Sequence, residues 1–229
     1  MLSAHREVQE IARAVLVDIG QGIVPRDTEK SIASKAVEGL HARGITETWY
    51  HDCPALVLLG SRSCWSGWGR HYQPAEEPVG ELNVVTVDLS PCRQGVWGDC
   101  ARTFLVENGK VVGEPGSAEL AKGIPFLRSL HAQMAQFARP HTSFAELFFW
   151  ANERITAAGF ENLDFGRNVG HSIAAHRDHR QYLRAGNIAK LGEVALFTFE
   201  PHVREVGGRW GFKHEEIYCF DLRGKVEAI

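Results

Sequence analysis

The sequence predicts an α+β fold made of two similar halves. Two stretches of helical periodicity are followed by strand-like runs rich in Val, Thr and Phe. The same order then recurs in the second half, although no residue-level repeat is visible. No linker or low-complexity tract separates the halves, so residues 1–229 are expected to form one domain. With 229 residues, 44% of them hydrophobic, the chain has enough apolar material for a substantial core.

Near the N-terminus, Val8, Ile11, Ala12, Val15, Leu16 and Ile19 recur at helical spacing. No basic segment followed by an apolar run precedes them, so the stretch reads as a helix and not as an export signal. Ile23 to Glu29 reads as a loop ending in an N-cap, with a second helix through about Ala42 and a stop at Gly44. Ser61 to Gly80 is loop-like and holds Trp65 and Trp68, residues that usually line something when a loop carries them. Val84 to Phe104 reads as two strands joined by a turn containing Pro91 and Gly95. Asn108-Gly109 is a hairpin signal that returns the chain into Val111-Val112. A helix is then expected from Ser117 to about Ala138, a break at Pro140-His141-Thr142, and a helix from Ser143 to about Ala158. Strands Val194–Glu200 and Val203–Val206, a Gly207-Gly208 turn, and Glu215–Phe220 complete the reading.

A net charge of -3 with no Lys/Arg block gives no electrostatic case for nucleic acid, and no apolar segment reaches membrane-spanning length. Cys53, Cys64, Cys92, Cys100 and Cys219 are scattered without CxxC pairs, which fits reduced thiols and a cytoplasmic location. Association into a homodimer is left open.

The strand regions carry acids where strands disfavour them. Asp88 and Asp99 flank the turn of the first pair, Glu200 ends an apolar run, and Glu215-Glu216 begins another. A carboxylate in a buried strand must neutralise, pair with a base, or bind a cation. Asn168-Val169-Gly170-His171 adds an imidazole between them. Several carboxylates and one imidazole on rigid elements suit divalent transition ions. Other motifs fail: His214-Glu215 lacks the second His of HExxH, since Tyr218 stands there. Gly170-His171-Ser172-Ile173-Ala174 lacks the last Gly of a nucleophile elbow and the apolar strand before it.

In this order Asp88, Asp99, His171, Glu200 and Glu215 resemble the five metal ligands of the pita-bread metallopeptidase family. That family comprises methionine aminopeptidases, Xaa-Pro aminopeptidases, prolidases and creatinase-like relatives. The eleven-residue step from Asp88 to Asp99, the string Asp99-Cys100-Ala101-Arg102-Thr103, Glu200-Pro201, and His71 seventeen residues before Asp88 support the resemblance. It implies a pita-bread fold of two pseudo-symmetric halves, with helices packed on curved antiparallel sheets. It also implies a cofactor of two divalent metal ions (Mn, Fe, Co or Zn). Asp88 would hold one ion, His171 and Glu200 the other, and Asp99 and Glu215 would bridge them. A shared hydroxide would then attack an amide bond of a small peptide or amino-acid derivative, with Glu200 moving its proton and His71 donating to the substrate.

The sequence departs from the family around the substrate. The second substrate histidine falls on Asp178, between His176 and His179, either of which would serve after a small shift, His179 slightly preferred. Lys213 stands where peptidases acting on Xaa-Pro bonds tend to have Arg, and the chain has no room for their extra N-terminal domain. A metal-dependent lyase, a small-molecule amide hydrolase and a non-catalytic binding module are the alternatives.

Overall fold

The computed structural model describes residues 2–229. Two helices, α1 (Leu2–Gly22) and α2 (Glu29–His41), open the chain. The buried side of α1 is His5, Val8, Gln9, Ala12, Val15, Leu16 and Ile19, the expected stripe except for half-buried Ile11, with two polar members added. α2 begins with a reciprocal cap: Ser31 N–H donates to the Thr28 hydroxyl and Thr28 N–H donates to Ser31 Oγ.

After β1 (Glu47–Thr48) come β2 (Ala55–Leu59), β3 (Leu82–Leu89), β4 (Pro91–Arg93), β5 (Val96–Trp97), β6 (Cys100–Glu107) and β7 (Lys110–Val112). Strands β2, β3, β6 and β7 form an antiparallel sheet in the order β2-β3-β6-β7, and β1, β4 and β5 form a small one in the order β1-β4-β5. Val57, Leu59, Val85, Val87 and Val106 of the larger sheet pack with Val8, Ala12, Val15, Ile32 and Ala36 of the helices as one core.

The second half repeats the plan with α3 (Gly123–Phe137), α4 (Phe144–Ala157), β8 (Phe160–Asn162), β9 (Phe197–Phe199), β10 (His202–Glu205), β11 (Gly211–Lys213), β12 (Glu216–Phe220) and β13 (Val226–Ala228). Its strands lie in two antiparallel sheets, β11-β10-β8 and β13-β12-β9. Leu127, Leu130, Met134, Phe144, Leu147, Ile155, Phe197 and Phe199 belong to its core. The halves meet edge to edge. Arg102 bridges His214, Glu215 N–H donates to the Ala101 carbonyl at 3.0 Å, and Thr103 Oγ1 lies 2.9 Å from Lys213 N and 3.0 Å from Lys213 O. This is the α+β, two-half, pita-bread architecture the sequence implies.

Three expectations shift. α3 starts at Gly123 and not at Ser117, because Pro125 has no N–H to give the carbonyl four residues back and is tolerated only in a first turn. The strand expected from Val194 begins at Phe197, after a 3-10 turn at Leu191–Glu193. The turn after Asp88 is itself a small hairpin, β4 and β5, inserted between the paired strands β3 and β6. Among the described residues no helix is long and apolar enough to cross a membrane, and all five cysteines are unbridged.

Candidate metal centre

Strand register puts the acids on one side. β3 and β6 pair Asp88 with Ala101, and Asp99 stands two residues before Ala101, so its side chain falls on the same face as that of Asp88. β12 and β9 pair Glu216 with Phe199, and Glu215 and Glu200 are the residues just beyond this end of the ladder, one on each chain segment. His171 joins through its neighbours: Ser172 bridges Phe197, Thr198 N–H donates to the His171 carbonyl at 2.7 Å, and Glu200 N–H donates to the Val169 carbonyl at 2.9 Å. Gly170, at φ 150, lets the chain pass so close to this strand that a Cβ there would lie 2.3 Å from the Thr198 carbonyl oxygen.

Gln9 of α1 grips Asp99 by its backbone. Its amide Nε2 donates to the Asp99 carbonyl and its Oε1 accepts from Asp99 N–H, both at 2.8 Å. The Asp99 carboxylate is thereby held without being consumed: Oδ2 is buried and has no hydrogen-bond partner, and neither has either Glu215 oxygen. Orphaned carboxylate oxygens beside an imidazole are what a cation site leaves behind. Asp99, His171 and Glu215 each offer one ligand atom, all within 4.8 Å of one another. The His171 Nδ1 lies 3.0 Å from the Ser172 carbonyl, which fixes the ring proton there. Its Nε2 lone pair faces Asp99 Oδ2 at 3.4 Å and Glu200 Oε1 at 3.7 Å. The residues present therefore fit a divalent ion.

The remaining acids are occupied by Lys213. Its Nζ lies 2.6 Å from Asp88 Oδ2, 3.0 Å from Glu200 Oε2 and 3.5 Å from Glu215 Oε2. Burial opposes the lysine's charge, but Asp88, Glu215 and Glu200 outweigh it and hold the ammonium well above its usual range. Burial would likewise raise Glu200, yet Lys213, His171 and Arg180 bring it down to about 2. Asp99 is pushed up to about 6 by burial, which the His171 contact only partly offsets. Burial and the neighbouring Asp99 likewise hold Glu215 well above its usual range. The strain of unmet charge thus concentrates on the pair with orphaned oxygens.

The cluster opens into a cavity of about 560 Å³ walled by Trp49, Tyr50, Trp65, Trp68 and Tyr182, with Arg70, Arg180 and Arg184. The Trp-bearing loop lines it as expected. His71 is exposed, its ring 6.3 Å from that of Trp68, and takes no part in the wall, which Arg70 supplies in its place. Buried Gly69 against Tyr50 and the Tyr72 hydroxyl bonded to the Val57 N–H and carbonyl fix that turn. His176 and His179 are also exposed and outside the wall, whereas Asp178 and Arg180 belong to it. Arg180 is the residue sequence reasoning missed. Its guanidinium carbon sits 4.8 Å from the Trp49 ring centre and 5.2 Å from that of Tyr182, with Nη1 3.3 Å from His171 Nε2. An arginine in a polar loop carries no periodic or motif signal, so only the folded loop reveals it.

The sequence profile described as metallopeptidase family M24 matches residues 3–220. No curated protein sequence matches the chain. Among solved structures, it is similar to an X-Pro aminopeptidase from Thermotoga maritima MSB8, with 20% identity, TM-score 0.80, and 99% of this chain covering 60% of that one. A prolidase from Pyrococcus furiosus shows 18% identity and TM-score 0.79 over 99% of this chain and 62% of that chain. A methionine aminopeptidase from Thermotoga maritima shows 17% identity and TM-score 0.75 over 97% of this chain and 93% of that chain. This chain therefore spans about 60% of the length of the X-Pro-type structures and nearly all of the methionine aminopeptidase. With its matched residues running almost end to end, the chain belongs to metallopeptidase family M24.

Proposed function

We propose that the chain is a metal-dependent hydrolase that cleaves an amide bond in a small peptide or amino-acid derivative carrying a carboxylate. The observation that carries this reading is the buried set Asp99, His171 and Glu215, with its orphaned oxygens, at the floor of an aromatic cavity. A divalent ion held there would act as a Lewis acid toward a carbonyl and ease deprotonation of water. Glu200, kept as a carboxylate by Lys213, is the base that accepts that proton. Asp88 holds Lys213 in place from the other side.

The wall supplies selection. Trp49, Tyr50 and Tyr182 offer apolar faces, while Arg70, Arg180 and Arg184 favour an anionic end on the substrate. A cavity of about 560 Å³ matches a small molecule, so dipeptides and acylated amino acids are expected to be turned over better than long peptides. That similar solved structures are an X-Pro aminopeptidase and a prolidase supports hydrolysis as the reaction.

The experiment is a panel of dipeptides, Met- and Xaa-Pro peptides and N-acyl amino acids, each with a free or an amidated carboxyl end. The panel is incubated with Mn-, Fe-, Co- or Zn-reconstituted protein and read by mass spectrometry. Cleavage with uptake of one water, lost with chelator and reduced at least tenfold by amidation, is expected. An olefinic product without water addition would replace hydrolysis by elimination. Efficient removal of Met from long peptides would overturn the restricted pocket.

A further inference from the structure

Four carboxylates surround the centre, and they are not served alike. Asp99 Oδ2 and both Glu215 oxygens have no hydrogen-bond donor, whereas Asp88 and Glu200 share the Lys213 ammonium at 2.6 and 3.0 Å. Lys213 is not a visitor from a flexible surface. It lies on β11, its backbone N–H and carbonyl are both fastened to Thr103 Oγ1, and its side chain is only 16% exposed. The same strand edge that joins the two halves therefore fixes where this charge stands.

We infer that Lys213 is a built-in substitute for a second cation, so that the centre takes one divalent ion, on Asp99, His171 and Glu215, and not two. This rests on the metal-dependent reading above and specifies its stoichiometry. The placement of charge supports it: the Lys213 ammonium already stands within 3.5 Å of Asp88, Glu200 and Glu215, and the oxygens left without a hydrogen-bond donor are Asp99 Oδ2 and those of Glu215. A second ion between Asp88 and Glu200 would require an ammonium held there by two short contacts to leave a buried position, or to remain against a dication. Lysine suits the part better than arginine, because its compact tetrahedral ammonium can occupy the place of an ion between three carboxylates while a planar guanidinium cannot.

The test measures metal per chain. Full-length protein is stripped with chelator, reconstituted with excess Mn(II), desalted and analysed by elemental analysis, and the Mn(II) electron paramagnetic resonance spectrum is recorded. Wild type is expected to hold one ion with an uncoupled six-line signal. Lys213→Met, which removes the charge and keeps the bulk, is expected to take up a second ion and show a spin-coupled spectrum. Asp99→Ala is expected to hold none. Two ions in wild type, with a coupled spectrum, would overturn the inference and leave metal-dependent hydrolysis standing. No ion in wild type would overturn both. One ion in both wild type and a Lys213→Met variant with a native unfolding transition would show that Lys213 is not what excludes the second. The wild-type spectrum decides the stoichiometry even if the variant does not fold.

Discussion

His131 of α3 is buried between the Tyr218 hydroxyl, 2.7 Å from Nδ1, and the His214 carbonyl, 3.1 Å from Nε2. The neutral ring with its proton on Nε2 satisfies both partners, since the phenol donates and the carbonyl accepts. Burial pushes this imidazole down to about 4. Its folded-state value lies below the unfolded one, so protons bind the unfolded chain first as pH falls. Stability from this group is full above about pH 6.5 and is lost progressively toward pH 4, by roughly 3 kcal/mol at most. His202, also pushed to about 4 by burial, acts in the same direction. Asp99 and Glu215, raised by burial, act in the opposite sense over this range, so the test is the difference: by urea unfolding, wild type is expected to lose stability relative to His131→Gln as the pH falls from 7 to 5. An identical decline in that variant would assign it to other groups. At this scale the sequence was partly legible. Asp88, Asp99, His171, Glu200 and Glu215 stand out because acids and a Gly-preceded histidine among strand residues need an explanation. Gln9 and Arg180 do not stand out, because a glutamine in a helix and an arginine in a loop need none. His71, His176 and His179 rest on the family resemblance, and a resemblance in sequence position does not say which way an exposed turn faces.

The elements were legible where local chemistry sets them. Thr28 and Ser143 cap α2 and α4 with paired hydrogen bonds, and Asn108-Gly109 turns β6 into β7, as their residue types predict. The start of α3 was misplaced because helical periodicity extends over residues that Pro125 bars from the helix. The strands β1, β8, β11 and β13 were missed because each has two or three residues, too few to show alternation, and β2 was missed because its run Ala55–Leu59 is apolar throughout and does not alternate. Gly170 illustrates what an element can demand of one position. Replacing it with Ala places a methyl group against the Thr198 carbonyl in a backbone conformation that favours glycine. Gly170→Ala is expected to cost about 3 kcal/mol or more and to weaken metal binding, because relief of the clash moves His171 off the strand that carries Glu200. Thermal unfolding and metal content check this, and a variant with native values for both would show that the approach is slack.

At the scale of the molecule, two cores meet along a seam, and the centre sits on it. Asp88 and Asp99 come from the first half and His171, Glu200 and Glu215 from the second. The doubled order of helices and strands was legible. The pairing of Arg102 with His214 was not, because it joins residues more than a hundred apart with no local signal. A ligand that binds atoms from both halves stabilises the joined state by an amount that grows with the logarithm of its concentration over its dissociation constant. Mn(II) at a hundred times its dissociation constant should add about 2.7 kcal/mol, raising the melting temperature by several degrees. Chelator should reverse the gain, and Asp99→Ala should abolish it. An unchanged melting temperature in calorimetry would show that the folded chain does not bind the ion in preference to the unfolded one.

Trp49 stands at that seam in a position with an optical consequence. Its ring is stacked on Trp97 at 4.7 Å and lies edge-on to His171 at 5.6 Å, with the Arg180 guanidinium over its face. An excited indole so near a metal ligand transfers energy to, or is quenched by, a paramagnetic ion, and it responds to anything that displaces the guanidinium. The protein thus carries an intrinsic fluorophore at the floor of its own cavity. Loading of the centre and entry of a substrate can be followed in real time by emission, with a Trp49→Phe variant to subtract the signal of the other five tryptophans and no need for a chromogenic substrate.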